Sequence, residues 1–179
     1  MISRFFGLRV AEQVPALRHY AYALARNEAA ADDLVQEALM LACNKHRTFR
    51  AGGNLRAWLL SIVHNRFVSI KRREASEQRR IESAAVLAPA HAEAAQVTAL
   101  RLEAVAQAFA ALTDEQREVL HLVAVEGLAY AEAAAVLDVP VGTVMSRLSR
   151  ARAALRDNEA MPRLTSAAPL RVVGGRVDG

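Results

Sequence analysis

The residues best suited to chemistry lie in one run near the C-terminal end, Val139-Pro-Val-Gly-Thr-Val-Met-Ser-Arg-Leu-Ser-Arg-Ala-Arg152. Val141, Val144, Leu148, Ala151 and Leu155 recur at alternating spacings of 3 and 4, so a helix formed by this run buries one stripe. At about 100° per residue the opposite face carries Ser146, Ser149 and Arg150, flanked by Thr143, Met145 and Arg147. A face of arginine and hydroxyl groups without a carboxylate can bond base edges and phosphates. Gly142-Thr143 at the helix start leaves backbone amides free for a phosphate. Upstream stand an apolar stretch, Tyr130 to Leu137, and a tight turn at Asp138-Val139-Pro140. Short helix, turn and second helix make the helix-turn-helix layout, whose second helix enters a DNA major groove. An ordinary helical hairpin with a solvated basic face is the competing reading of this motif taken alone.

Charge is sorted along the chain. Asn54 to Arg80 holds Arg56, Arg66, Lys71, Arg72, Arg73, Arg79 and Arg80 against Glu74 and Glu77, and Pro140 to Arg156 holds Arg147, Arg150, Arg152 and Arg156 unopposed. Asn27 to Leu39 is acidic, with Glu28, Asp32, Asp33 and Glu37, and Ile81 to Glu118 carries an excess of acid. Two basic islands separated by acidic segments point to a bipartite contact with a polyanion, with a solvated charged surface as the alternative. The total, Lys+Arg 23 against Asp+Glu 19 with pI about 9.8, invites an anionic partner without establishing one. Only Lys45 and Lys71 are lysines; arginine is the better ligand for phosphate and guanine, although a GC-rich coding sequence would give the same bias.

Catalytic chemistry has no foothold. His19, His46, His64, His91 and His121 are scattered without metal-ligand spacing, and no nucleophile motif is present. Cys43 stands alone, which excludes an intrachain disulfide or a multi-cysteine metal site and fits a reducing compartment. The expectation is a protein that is not an enzyme, with no catalytic residue, metal, cofactor or small-molecule substrate. No run approaches the roughly 18 apolar residues of a membrane span, and Met1 to Val10 lacks the core and cleavage site of a signal peptide. A cytoplasmic location without membrane insertion follows as an expectation.

The elements that must position these groups are helices. Strand signals are nearly absent, and Ala, Leu, Arg and Glu dominate, which predicts an all-α chain of two small helical domains joined by a linker. The pattern predicts helices over Ala11 to Ala25, with Pro15 tolerable only in a first turn, then Asn27 as a cap for a helix to Lys45 with Leu34, Val35, Ala38, Leu41 and Ala42 inward. A loop over Phe49 to Asn54 precedes a helix from Leu55 to Arg73 with Leu55, Trp58, Leu59, Ile62 and Val63 inward. Residues 1–80 form the first domain and 81–98 the linker, marked by Pro89 and the loss of amphipathic period. Residues 99–156 form the second domain, with helices over Leu100 to Ala111, Asp114 to Glu126, Tyr130 to Leu137 and Val141 to Arg156. Residues 157–179 are a mobile tail.

Val139 to Arg152, together with Gln116-Arg-Glu-Val-Leu120 and Gly127-Leu-Ala-Tyr130, closely resembles the promoter-upstream-reading domain of bacterial RNA polymerase sigma factors of the extracytoplasmic-function group. Ala31-Asp-Asp-Leu-Val-Gln-Glu37 and Leu55-Arg-Ala-Trp-Leu-Leu-Ser-Ile-Val-His-Asn65 are similar to that group's other domain. Asn65-Arg-Phe-Val-Ser69 followed by Lys71-Arg-Arg73 resembles the subgroup linked to the general stress response. The resemblance spans roughly residues 14 to 156 and implies a sigma factor that directs core RNA polymerase to promoter DNA. It implies that Asp33, Gln36 and Glu37 dock on core polymerase. It also implies that Phe49, Arg50 and Asn65 receive a base flipped from the −10 element, with Arg66, Lys71, Arg72 and Arg73 on phosphates. Thr143, Met145, Ser146, Arg147, Ser149 and Arg150 would read the −35 element, and an anti-sigma factor would be a further partner. Asn65 as a helix cap or cross-link remains open beside base contact.

The chain departs from the group's pattern at Ser69, where many members have Asp, at Met145, where Lys or Arg is usual, and at Ala129, where Ser or Thr would cap a helix. Loss of that cap costs about 1 kcal/mol. Two rival functions remain. A sigma mimic that sequesters an anti-sigma factor is expected to carry a receiver domain, for which this length leaves no room; a stand-alone helix-turn-helix regulator would not need the Asp32 to Glu37 segment or the Trp58 helix.

Overall fold

The computed structural model describes residues 4–50, 52–82 and 111–157. Among these there is no strand, and the helices fall into two sets. The first comprises α1 (Arg4–Ala11), α2 (Val14–Ala25), α3 (Glu28–Asn44), a single 3₁₀ turn at His46–Thr48, and α4 (Leu55–Glu82). The second comprises α5 (Asp114–Leu120), a π-helical turn at His121–Val125, α6 (Tyr130–Leu137) and α7 (Val141–Asp157).

Local chemistry places the boundaries. Pro15 falls in the first turn of α2, where its missing N–H is harmless. The helix expected from Ala11 therefore starts at Val14, and the residues before it form the separate α1. Arg26 closes α2 in the left-handed region at φ 56. Asn27 then caps α3, its side chain accepting from the Ala30 amide at 2.9 Å, and Asn54 caps α4 by accepting from Ala57 N at 3.1 Å. Helix α4 continues to Glu82, nine residues beyond the expected Arg73. Its extension lacks an apolar stripe, but good helix formers and the Lys71–Glu74 ion pair at 3.0 Å sustain an exposed helix. Only Ile81 and Glu82 of the expected linker are described; the rest of 81–98, the expected Leu100 to Ala111 helix apart from Ala111, which lies in a turn, and the tail beyond Asp157 lie outside the described residues.

Leu17, Tyr20, Leu59, Leu60 and Val63 are fully buried, with Leu34, Val35, Ala38 and Ala42 of α3 beside them. Leu41, expected inward, is only half-buried. Trp58, expected inward, is half-buried, its ring tilted at 53° to that of Phe49 with 5.4 Å between centres, and Phe6 of α1 lies 6.3 Å from Trp58 and 6.1 Å from Phe49.

In the second set, Thr113 and Gln116 form a reciprocal capping box at the start of α5 (3.3 and 3.1 Å). The helix expected over Asp114 to Glu126 loses its α register after Leu120: Glu126 N bonds His121 O at 3.0 Å, a five-residue step. Gly127 then turns the chain at φ 68. Asp138 ends α6 in the left-handed region at φ 52, and Thr143 N bonds Pro140 O at 2.9 Å to start α7, so the Thr143 amide, expected free for a phosphate, is already taken by this turn. Val144, Leu148 and Ala151 are buried as expected. Val141 is 42% exposed instead: it is the first residue of α7, at the tight turn, and burial of the stripe begins at Val144. The two sets pack directly on each other, α4 against α6 and α2 against α5 and the π turn.

Candidate nucleic-acid interface

Helix α7 presents Met145, Ser146, Ser149 and Arg150 to solvent, with Thr143 half-buried. Arg150 folds along its own helix, donating to Ser146 O and Oγ at 3.3 Å each, so its guanidinium stays on the outer face. Arg147 is held differently. Its side chain is 18% exposed and paired with Glu115 of α5 at 2.9 Å, so it braces the domain rather than joining the outer face. To the other side of the face, Tyr130, Met145, Leu148, Ser149, Arg152 and Arg156 line a hollow of about 330 Å³. The missing hydroxyl at Ala129 is half compensated: Glu132 Oε2 accepts from Ala129 N at 2.9 Å while its Oε1 accepts from Asn54 of the first set at 2.8 Å.

On α4, Asn65 is exposed and its side chain makes no hydrogen bond among the described residues. Ser69 Oγ donates to the Asn65 carbonyl at 2.8 Å, a backbone contact that leaves the Asn65 amide free. Phe49 is half-buried in the aromatic cluster, Arg50 is exposed, and Gly53 N bonds Arg50 O at 3.0 Å to shape the loop. Gly52 adopts φ 85 there, a conformation that favours glycine. Lys71 lies 5.7 Å over the Phe67 ring as well as against Glu74. Arg72 and Arg73 are exposed.

Asp33 and Gln36 are exposed on α3. Glu37 is paired with Arg66 of α4; the arginine hydrogen bond holds its carboxyl below the usual range, and Arg66 is raised in turn. The charge pattern places these two residues in different segments and the resemblance assigns them to different partners; the structure joins them in one ion pair. Asp32 is engaged too, in a two-point bond with Arg18 at 2.8 Å each.

Comparison with known proteins decides the family. The Sigma-70, region 4 family matches residues 102–155, and the Sigma2 domain of PhyR family matches residues 10–64. The ECF RNA polymerase sigma factor EcfG of Rhodopseudomonas palustris (strain TIE-1) is 39% identical over 144 residues, covering 79% of this chain and 78% of the relative. The chain belongs to the ECF family of RNA polymerase sigma factors. Another relative, the ECF RNA polymerase sigma-E factor of Escherichia coli (strain K12), is 33% identical over 141 residues, 73% of each chain. Among solved structures, the sigma factor RpoE in complex with the anti-sigma factor NepR from Bartonella quintana aligns with TM-score 0.72 and 35% identity, covering 87% of this chain and 96% of that one.

This sigma factor also contains a polar seam between its halves that sequence reasoning missed. Tyr20 of α2, fully buried, bonds His64 Nδ1 at 3.2 Å, and its ring centre lies 5.5 Å from that of His121. His121 Nε2 bonds Glu126 Oε1 at 3.2 Å, and Glu126 meets Arg56 of α4 at 3.6 Å. Burial drives His121 down to about 4 and lowers His64, so both imidazoles are neutral at ordinary pH and the His121–Glu126 contact is a hydrogen bond. Burial also raises Glu126, and it lifts Glu118 to about 7. The wide π turn is what faces His121 toward Glu126. The one signal available beforehand was a polar residue inside each apolar run, at His64 and His121. Among the described residues of this sigma factor no helix is long and apolar enough to cross a membrane.

Proposed function

We propose that this sigma factor binds core RNA polymerase through Asp33, Gln36 and Glu37 and directs it to promoters, acting in the cytoplasm without a catalytic step of its own. Ser146, Ser149 and Arg150 read the −35 element, with Thr143 and Met145 at the edges of that face. Asn65 with the Phe49–Arg50 loop takes the flipped base of the −10 element, and Arg66, Lys71, Arg72 and Arg73 line the phosphates. Arg147 contributes by fixing α7 on α5. The carrying observation is the match to EcfG, which runs through both halves in order. Exposure of the α7 outer face and of Asn65 supports the assignment of roles. An anti-sigma factor is a further partner, by analogy with RpoE and NepR. The test is reconstitution with core polymerase followed by promoter-directed run-off transcription. The match of residues 10–64 to the Sigma2 domain of PhyR favours a second reading, sequestration of an anti-sigma factor. That reading predicts anti-sigma capture with no transcription.

A further inference from the structure

Met145 is the exposed side chain of the α7 outer face that offers no strong hydrogen-bonding group. It is 54% exposed, while Ser146, Ser149 and Arg150 beside it can all donate to base edges. In the major groove the apolar feature of a base edge is the C5-methyl of thymine. A thioether on an unbranched stem is suited to such a contact, being flexible and polarisable.

The surroundings favour the same occupant. Met145 shares its hollow with Leu148, whose buried side chain forms an apolar floor, and with Arg152 and Arg156, two cations at the rim; Tyr130 and Ser149 add hydroxyls, and no carboxylate lines it. A DNA strand lying on those arginines brings its base edges over Met145. Arg150 is five residues further along α7, on the opposite flank of the face, so it addresses a different base pair. We propose that Met145 packs against the 5-methyl of a thymine in the upstream promoter element and makes this sigma factor selective for thymine at that position. The inference rests on α7 being the base-reading helix.

The test removes one methyl group. Holoenzyme reconstituted from this chain and core polymerase selects duplexes from a pool randomised over the upstream element, and each thymine of the selected element is then replaced singly by uracil. One replacement should weaken binding about fourfold, the worth of a methyl group returned to water. Met145→Ala holoenzyme should bind the thymine and uracil duplexes equally, whereas Met145→Leu, still apolar, should keep the difference. Indifference of the wild type to every uracil, retention of the effect in Met145→Ala, or its loss in Met145→Leu overturns the proposal. Failure of the base-reading assignment looks different: scrambling the whole upstream element would then leave wild-type binding unchanged.

Discussion

Replacing Arg56 by methionine tests whether the seam between the halves is held by charge. The Glu126 side chain is 3% exposed and has two partners across 3.2 and 3.6 Å, His121 and Arg56. Breaking a wholly buried ion pair costs about 3 to 5 kcal/mol. Arg56 is 43% exposed, so solvent already screens it, and exposed pairs contribute about 0 to 1 kcal/mol. His121 keeps its hydrogen bond to the stranded carboxylate in the variant. Between these limits Arg56→Met should cost about 1 to 2 kcal/mol near pH 7. The sign of its pH dependence follows from Glu126, whose carboxyl burial raises and Arg56 lowers. A raised folded pKa gives stability that is present below the unfolded value, about 4.3, and lost as pH rises through the folded value. Without Arg56 that loss deepens, so the deficit of the variant should be larger at pH 8 than at pH 5. Urea unfolding followed by helical circular dichroism, on Arg56→Met, Glu126→Gln and the double variant, measures it. A coupling energy below about 0.3 kcal/mol at both pH values would refute the argument.

Glu118→Gln should stabilise the protein at pH 8 by about 1 to 3 kcal/mol and have little effect at pH 4, because the stability associated with the half-buried Glu118 is intact below 4.5 and lost as pH rises through about 7. The same denaturant titrations at both pH values show it, and an equal effect at each would exclude the buried-carboxyl explanation. Asn65→Ala should leave thermal stability and polymerase capture unchanged, since its side chain bonds nothing described, while reducing permanganate-detected promoter melting. A joint fall in stability and capture would make Asn65 structural. Arg150→Ala should cost about 1 to 3 kcal/mol of discrimination at one or two upstream base pairs, whereas Arg147→Ala should lower the melting temperature through loss of Glu115 pairing; reversed outcomes in binding and melting assays would exchange their roles.

Much of the fold was legible because it is written locally. The Leu34 to Ala42 stripe, the Asn27 cap and the Val144 to Ala151 stripe each lie within a few turns of helix, where period and capping chemistry are sufficient. The helix-turn-helix face was legible for the same reason, down to the exposure of Ser146, Ser149 and Arg150. Arg147 shows the limit. A helical wheel places it on the flank of the reading face, and only the position of α5, which brings Glu115 to 2.9 Å, turns it inward. The extension of α4 was hidden because an exposed helix needs no apolar period. The seam was hidden for two reasons: His121 and Glu126, five residues apart, meet only because the helix widens into a π turn, and Tyr20, Arg56 and His64 reach them only through packing of distant segments.

On the proposed function, the seam bears directly on how the Asn65 surface and the α7 face work together. Elements designated −35 and −10 lie about 25 base pairs apart by those designations, roughly 85 Å of B-form duplex at 3.4 Å per step. A compact body of this size is roughly 40 Å across. With α4 packed on α6 and α2 on the π turn, Asn65 and the α7 face therefore span at most about half the required distance. If both elements are engaged at once, as proposed, the halves must part, and the surface that separates is the one holding Tyr20, His121 and the Arg56–Glu126 pair. Its chemistry suits parting: Arg56 is already half in water, and Asn54–Glu132 at 2.8 Å and Arg26–Asp114 at 3.4 Å are exposed contacts that solvent replaces at little cost. The groups that resist are the buried ones, Tyr20 and His121, whose ring contact must be exposed on opening. A partner with higher affinity for the parted halves supplies that free energy, in proportion to its preference for the open form.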